Sequence, residues 1–220
     1  MTEERDPPAR EPEHSAGTRM ADSLVLTRIT DSFDFSVGGG SASALAGSMA
    51  AGLVAMVTRL SENGQFGMTP SRCRSLAEEA DGLSRQLLQG AEADAEAYGL
   101  LAASYRLPRG SPDSQEAREA AILRAAFVAA SVPRDNAHRV RRVVELCREL
   151  DGRSNPNAGS DLAVARVLSG AALVGCVQNI IVNLPLIHDA DLANELSREA
   201  TQLRQVAIRE LTSLATREDA

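Results

Sequence analysis

Between residues 41 and 62, Leu45, Met49, Leu53, Met56 and Leu60 recur at intervals of three and four. That spacing lines side chains along one face of an α-helix and scatters them over both faces of a strand. Beside this apolar stripe, Ser43, Gly47, Ala51 and Ala55 form a row of small residues, which lets a neighbouring helix approach closely. The helical period continues through the chain, and no stretch alternates as a strand would. Aromatic residues make up only 3% of the sequence and Trp is absent, while 44% is hydrophobic. A core without large rings is built from Ala, Leu, Val and Ile, the composition of close-packed helices rather than of a β-sandwich. The expected fold is all-α: a single-domain bundle of long antiparallel helices over residues 21–220. Residues 1–20 lack apolar periodicity and are expected to form a disordered tail.

The breaks between helices are legible from turn chemistry. A first short helix is expected over 21–33. The helix carrying the stripe opens at Ser41, after three consecutive glycines, and runs to about residue 62. Gly64-Gln65-Phe66-Gly67 reads as a turn, and Thr69-Pro70 as an N-cap with proline at the first helical position. The next helix is expected over 70–105, ending before Pro108, followed by a loop at 109–113. Another helix should reach about residue 130, and Pro133 should open a separate one running to 151. After the turn-forming stretch 152–157, an apolar helix is expected over 160–184 and an amphipathic one from 189 onward. Residues 42–58 and 167–187 carry no charge. The first stretch is largely Ala, Gly and Ser, which gain little from lipid, and the second holds Gln178, Asn179, Asn183 and Pro185, whose amides are costly there. Both read as buried helices of a soluble protein.

Charge and residue inventory exclude several chemistries. The net charge is −7 with the basic residues dispersed, which argues against a nucleic-acid footprint. All 23 basic residues are Arg, so Schiff-base chemistry on a lysine is excluded. Cys73, Cys147 and Cys176 are odd in number and far apart, a pattern of a reducing, cytoplasmic compartment rather than of a disulfide framework. With His14, His138 and His188 equally dispersed, no protein-held metal is expected. The N-terminal stretch has no apolar core of the signal-peptide kind.

Three groups of residues could carry chemistry. Gly38, Gly39 and Gly40 allow the backbone to approach a ligand, and Ser41 reads as the cap of a helix whose first N–H groups suit an anion; a flexible turn with a serine cap accounts for the same residues. Asp94, Tyr98 and Tyr105, at spacings of four and seven, share one helix face. They could combine proton transfer with a surface for a flat ring, or be an exposed Asp beside two core-edge tyrosines. The third group is the 155–161 stretch NPNAGSD, leading to the helix with Asn179 and Asn183. Asp161 reads as a dipole or cap residue. The two asparagines sit four apart in an apolar run and must find partners, either backbone across the bundle or a ligand.

Five ordered blocks resemble one family. GGGSASALAGSMAAGLVAMVTRL at 38–60, DAEAYGLLAASYRLPRG at 94–110, the Val132-Pro133 pair, NPNAGSD at 155–161 and QNIIVNL at 178–184 are similar to the motifs of the formiminotetrahydrofolate cyclodeaminases and methenyltetrahydrofolate cyclohydrolases. The resemblance implies a helical homodimer acting on a one-carbon unit carried by a tetrahydrofolate derivative, without a metal. Its two reactions are hydrolysis of the methenyl bridge to 10-formyltetrahydrofolate, and closure of a formimino group to that bridge with loss of ammonia. It implies Asp94 and Asp161 as general base and acid, with Gly38, Gly39, Gly40 and Ser41 facing the folate. Asn179 and Asn183 would orient the pterin or the attacking water, and Tyr98 and Tyr105 would flank a ring.

Two departures bear on the substrate. Val37 stands where the family usually has proline, and the 62–67 segment lacks the family's lysines, which weakens the expected contact with an acidic polyglutamate tail. The cyclohydrolase reaction is the leading expectation, since the chain carries no formiminotransferase part. The cyclodeaminase reaction stands beside it. A diverged enzyme working on a non-folate substrate and a non-catalytic ligand-binding dimer are the alternatives.

Overall fold

The computed structural model describes residues 27–31, 36–64 and 66–216. Among them lie five long helices: α1 (Gly39–Ser61), α2 (Pro70–Tyr105), α3 (Pro112–Leu150), α4 (Gly159–Asn183) and α5 (Ala190–Ala215), with single 3-10 turns at Pro156–Ala158 and Leu184–Leu186. No strand occurs among the described residues. Of the helix expected over 21–33, a turn at 27–29 falls within the described residues. The expected tail 1–20 lies outside them.

Side-chain bonds between helices set the directions. Ser41 reaches Ala91 and Ser48 reaches Ser84, so α1 and α2 run antiparallel. Asn136 reaches Gly90, while Arg142 pairs with Glu79, so α2 and α3 do too. At one end of the bundle Asn155 bonds Ser61 and Leu60; at the other Gly39 lies beside Asn179, which makes α1 and α4 antiparallel neighbours. Arg134 binds Glu199 and Arg148 binds Glu210, so α5 runs in the same direction as α3.

Thr69 caps α2 as expected, its hydroxyl accepting from Arg72 N–H with Pro70 at the first helical position. Ser111 closes a capping box with Ser114 at the start of α3, and Asp189 caps α5. Two expectations are corrected. The residue capping α1 is Gly38, and Ser41 lies inside the first turn with its hydroxyl directed at α2. The separate helices expected around Pro133 are one continuous α3 with proline inside. Proline removes the N–H that would bond the carbonyl of Ala129, four residues back. Asn183 supplies the replacement: its Nδ2 donates to Ala129 O at 2.8 Å.

An amphipathic helix normally turns its large apolar residues to the core. In α1 the small-residue row does so instead: Gly47, Ala51 and Ala55 are buried, while Met49 is 57% and Leu60 53% exposed. The cause is close helix approach. A Cβ at Gly47 would lie 2.6 Å from Val140 of α3, and one at Gly175 of α4 would lie 2.0 Å from Ser43 Oγ. On α4, Val164, Val167, Ile181 and Val182 also point outward. By length and composition α1 and the segment around α4 could cross a membrane, with 56% and 39% of their apolar windows buried inside the bundle. The remainder is this outward face.

Between α3, α4 and α5 lies a buried ion cluster. Glu210 is almost completely enclosed and accepts from Arg166 Nε at 2.6 Å and Arg148 Nε at 2.7 Å. A buried carboxylate needs such pairing to offset its lost hydration.

Candidate active site

Where the N-terminus of α1 meets the middle of α2 and the C-terminus of α4, the chain leaves a cavity of ≈ 400 Å³ lined by Gly38, Gly39, Gly40, Asp94, Tyr98, Asn179 and Asn183. Ser36, Ala97, Leu101, Ala129, Val182 and Leu186 complete its walls. The size suits a small-molecule site. No Arg, Lys or His is among the described lining residues, and Arg28 Nη2 donates to the lining Ser36 Oγ.

Asp94 is the one carboxyl among the described lining residues. It faces the first turn of α1, where unpaired N–H groups give a partial positive charge. Its Oδ2 lies 3.1 Å from the Ser41 hydroxyl, which also donates to Ala91 O at 2.9 Å. Burial raises the Asp94 pKa above the usual carboxylate range, and the Ser41 hydroxyl and backbone N–H oppose the rise without cancelling it. The carboxyl is packed so closely on α1 that a Cβ at Gly40 would sit 2.2 Å from Oδ1. Here the glycine serves close approach. Behind it, burial and the Asp94 charge hold the Cys176 thiol neutral, its pKa pushed up to about 12.

The asparagine pair bonds backbone, and both residues line the cavity. Asn179 Nδ2 donates to Gly175 O at 2.9 Å. Asn183 Nδ2 donates to Asn179 O at 2.9 Å as well as to Ala129 O. A backbone carbonyl can only accept, so these bonds fix each amide by its nitrogen and leave its oxygen without a bond to a described residue. Two carboxamides and one carboxyl make the polar part of the site rich in acceptors. The N–H groups of the glycine turn are the nearby donors.

Two expected site residues lie elsewhere. Tyr98 lines the cavity, but Tyr105 lines a separate cleft two helical turns further along α2. Asp161 sits in the first turn of α4; Asn179 is eighteen residues on, about 27 Å along the helix. Within one chain, Asp94 and Asp161 do not meet. Sequence reasoning had no signal for Ala129, because only the fold joins Pro133 to Asn183.

The model of the formiminotransferase-cyclodeaminase family matches residues 26–202. The chain belongs to that family. It is 31% identical to the methenyltetrahydrofolate cyclohydrolase of Methylorubrum extorquens over 163 residues, covering 74% of this chain and 78% of that protein. The formimidoyltransferase-cyclodeaminases of Gallus gallus and Rattus norvegicus are 29% and 28% identical over 77% and 76% of the chain. The chain spans about a third of their length, 32% and 30%. The formiminotetrahydrofolate cyclodeaminase of Thermotoga maritima shares the fold, with a TM-score of 0.74 over 93% of this chain and 96% of that one, at 20% identity.

As a member of this family, the chain gathers the glycine, Asp94 and paired-asparagine blocks at one end of α1. The NPNAGSD block stands at the other end, where Asn155 bonds Leu60 and Ser61. The 62–67 segment follows the C-terminus of α1, so its missing lysines lie about 33 Å from the glycine turn rather than at the cavity mouth.

Proposed function

We propose that this chain is a methenyltetrahydrofolate cyclohydrolase, with the formiminotetrahydrofolate cyclodeaminase reaction open to the same groups. The observation that carries the reading is the Asp94 carboxyl, half-buried against the glycine turn in a cavity that Asn179 and Asn183 also line and whose described lining residues include no cationic side chain. The methenyl bridge is an amidinium cation shared between N5 and N10, and such a site favours it over a neutral or anionic ring. The 31% identity to a cyclohydrolase over most of both chains supports the substrate class.

In the hydrolysis, Asp94 as carboxylate takes a proton from the water that attacks the bridge carbon. The tetrahedral carbon then bears a hydroxyl between N5 and N10. Protonated Asp94 returns the proton to N5, the C–N5 bond breaks, and the hydroxyl loses its proton to solvent as the formyl carbonyl forms on N10. In the deaminase reaction N10 attacks the carbon of the protonated formimino group and loses its proton to the Asp94 carboxylate, which passes it to the departing amino group, so that the C–N bond breaks and ammonia leaves. Both need a group that takes up and returns a proton, and burial, which raises the Asp94 pKa, favours the acid form that the second transfer requires. Ser41 suits either state. It donates towards the carboxylate, and with its proton held by Ala91 O it accepts from the carboxylic acid. Turnover of methenyltetrahydrofolate by the purified protein, followed by near-ultraviolet absorbance, tests the assignment.

The working form in this reading is a cytoplasmic homodimer. Three free cysteines, all buried, support a reducing compartment. The outward stripes of α1 and α4 support the dimer. Two adjacent helices about 35 Å long offer on the order of 700 Å² per partner, close to a standard interface. Both stripes lack charge over residues 42–58 and 167–187. A two-fold axis across these helices would bring the partner subunit's Asp161 towards the Asp94 cavity, and the second-carboxylate role of Asp161 belongs to this arrangement.

A further inference from the structure

The faces of α2 and α3 that line the cavity continue past Leu101. On α2, Asp94, Tyr98, Leu101 and Tyr105 follow one another on a single face. On the antiparallel α3, Ala129, Ile122 and Arg118 do the same in the opposite order. The chain between α4 and α5 forms a third wall, with Leu186 at the cavity and His188 further on. Further along these same faces lies the second cleft, of ≈ 480 Å³, lined by Tyr105, Arg109, Arg118, Glu119, Ile122 and His188 among others. Asp94 to Tyr105 and Ala129 to Arg118 are both eleven residues, about 16 Å along either helix. The two ends differ in sign: a carboxyl and two amides at one, two guanidinium groups and an imidazole against one carboxylate at the other.

Arg118 is held but not neutralised. Its Cζ lies 5.7 Å from the centre of the Tyr105 ring, and Nη2 donates to Tyr105 O at 3.4 Å. Its Nε is buried without a hydrogen-bond partner among the described residues. Neither Arg118 nor Arg109 belongs to an ion pair among those residues, whereas Arg72, Arg134, Arg142, Arg148 and Arg166 of the bundle body are all paired. An unpaired, ring-backed guanidinium in such a cleft presents a planar fork suited to a carboxylate.

We propose that the Tyr105–Arg109–Arg118 cleft is the subsite for the carboxylates at the far end of the substrate, with the reacting ring at Asp94. The inference rests on the folate reading. It places the glutamate of a pteroylglutamate on Arg118 and Arg109 and lays the benzoyl spacer along Tyr98 and Leu101. It also gives the tail cationic contacts that the 62–67 segment lacks.

The test compares kcat/KM for 5,10-methenyltetrahydrofolate carrying three glutamates with that for the methenyltetrahydropteroate analogue, which has none. Wild type should prefer the glutamate-bearing substrate, and Arg118→Gln or Arg109→Gln should reduce that preference by about tenfold or more, chiefly through KM. A preference unchanged in both variants would overturn the proposal. If wild type turns over neither substrate, the cyclohydrolase assignment fails, and calorimetric titration with p-aminobenzoyl-triglutamate then decides the subsite. Binding by wild type that is lost in Arg118→Gln supports it; equal binding, or none by wild type, contradicts it.

Discussion

The side chain of Asn183 donates 2.8 Å to the carbonyl oxygen of Ala129, the oxygen that Pro133 deprives of its helical N–H. A proline inside α3 and an amide at the end of α4 thus form one device, holding the wall that carries Ala129 against the cavity. Asn183→Ala should destabilise the protein by about 1–3 kcal/mol, the cost of leaving such a carbonyl unmatched. In a Pro133→Ala background the helix recovers its own N–H, so the same substitution should cost clearly less. Urea unfolding of the four proteins in a double-mutant cycle measures the difference; equal costs in both backgrounds would show that the bonds are independent.

Gly40→Ala places a methyl group where Asp94 Oδ1 lies, with only 2.2 Å between them. The carboxyl must move, and a displacement of the order of 1 Å at a reacting group costs about a hundredfold in rate. Steady-state kinetics should show that loss chiefly in kcat. Gly38→Ala, whose Cβ meets nothing within 4 Å, serves as the comparison for steric contact with Asp94.

The raised pKa of Asp94 has a consequence for stability. Its folded pKa lies above its unfolded value, so the carboxyl contributes stability that is fully present below the unfolded pKa, near 3.9, and lost as pH rises through the folded pKa. At neutral pH the ionised group is a burden on the fold. Asp94→Asn should therefore melt higher than wild type at pH 7 while losing most turnover, and the Tm difference should shrink as pH falls below 4. A variant that melts lower than wild type at pH 7 would contradict the burial argument.

Asp161 and Asp94 stand far apart in one chain, so they can act together only across a dimer. Sedimentation should find a dimer of the 220-residue chain. Asp94→Asn and Asp161→Asn should each lower turnover. Mixing the two inactive proteins under conditions of subunit exchange should restore about a quarter of wild-type activity, because half the dimers then carry one intact site. No recovery after verified exchange would remove Asp161 from the chemistry.

Helix positions followed closely from period and caps: α2 begins and ends where Thr69-Pro70 and Pro108 imply, α1 and α4 lie within two residues of their expected limits, and α5 starts one residue after its expected start. The small-residue row of α1 was legible as the face that a neighbouring helix approaches, but the outward turn of Met49 and Leu60 was not. That turn depends on Gly47 and Gly175 letting α3 and α4 come close enough for small residues to fill the core. Pro133 misleads for a related reason, since its replacement donor lies fifty residues away on another helix. The glycine turn, Asp94, Tyr98 and the asparagine pair were identifiable as candidates from spacing, and the fold brings them together. Tyr105 shares their helix face, yet two further turns carry it out of the cavity and into the cationic cleft.

The most direct test of the account is the rate at which purified protein hydrolyses 5,10-methenyltetrahydrofolate, read as loss of its near-ultraviolet absorbance against the buffer rate. Catalysed loss by wild type that falls by a hundredfold or more in a folded Asp94→Asn variant is the predicted result. Hydrolysis no faster than in buffer, or equal rates for wild type and Asp94→Asn, would contradict it.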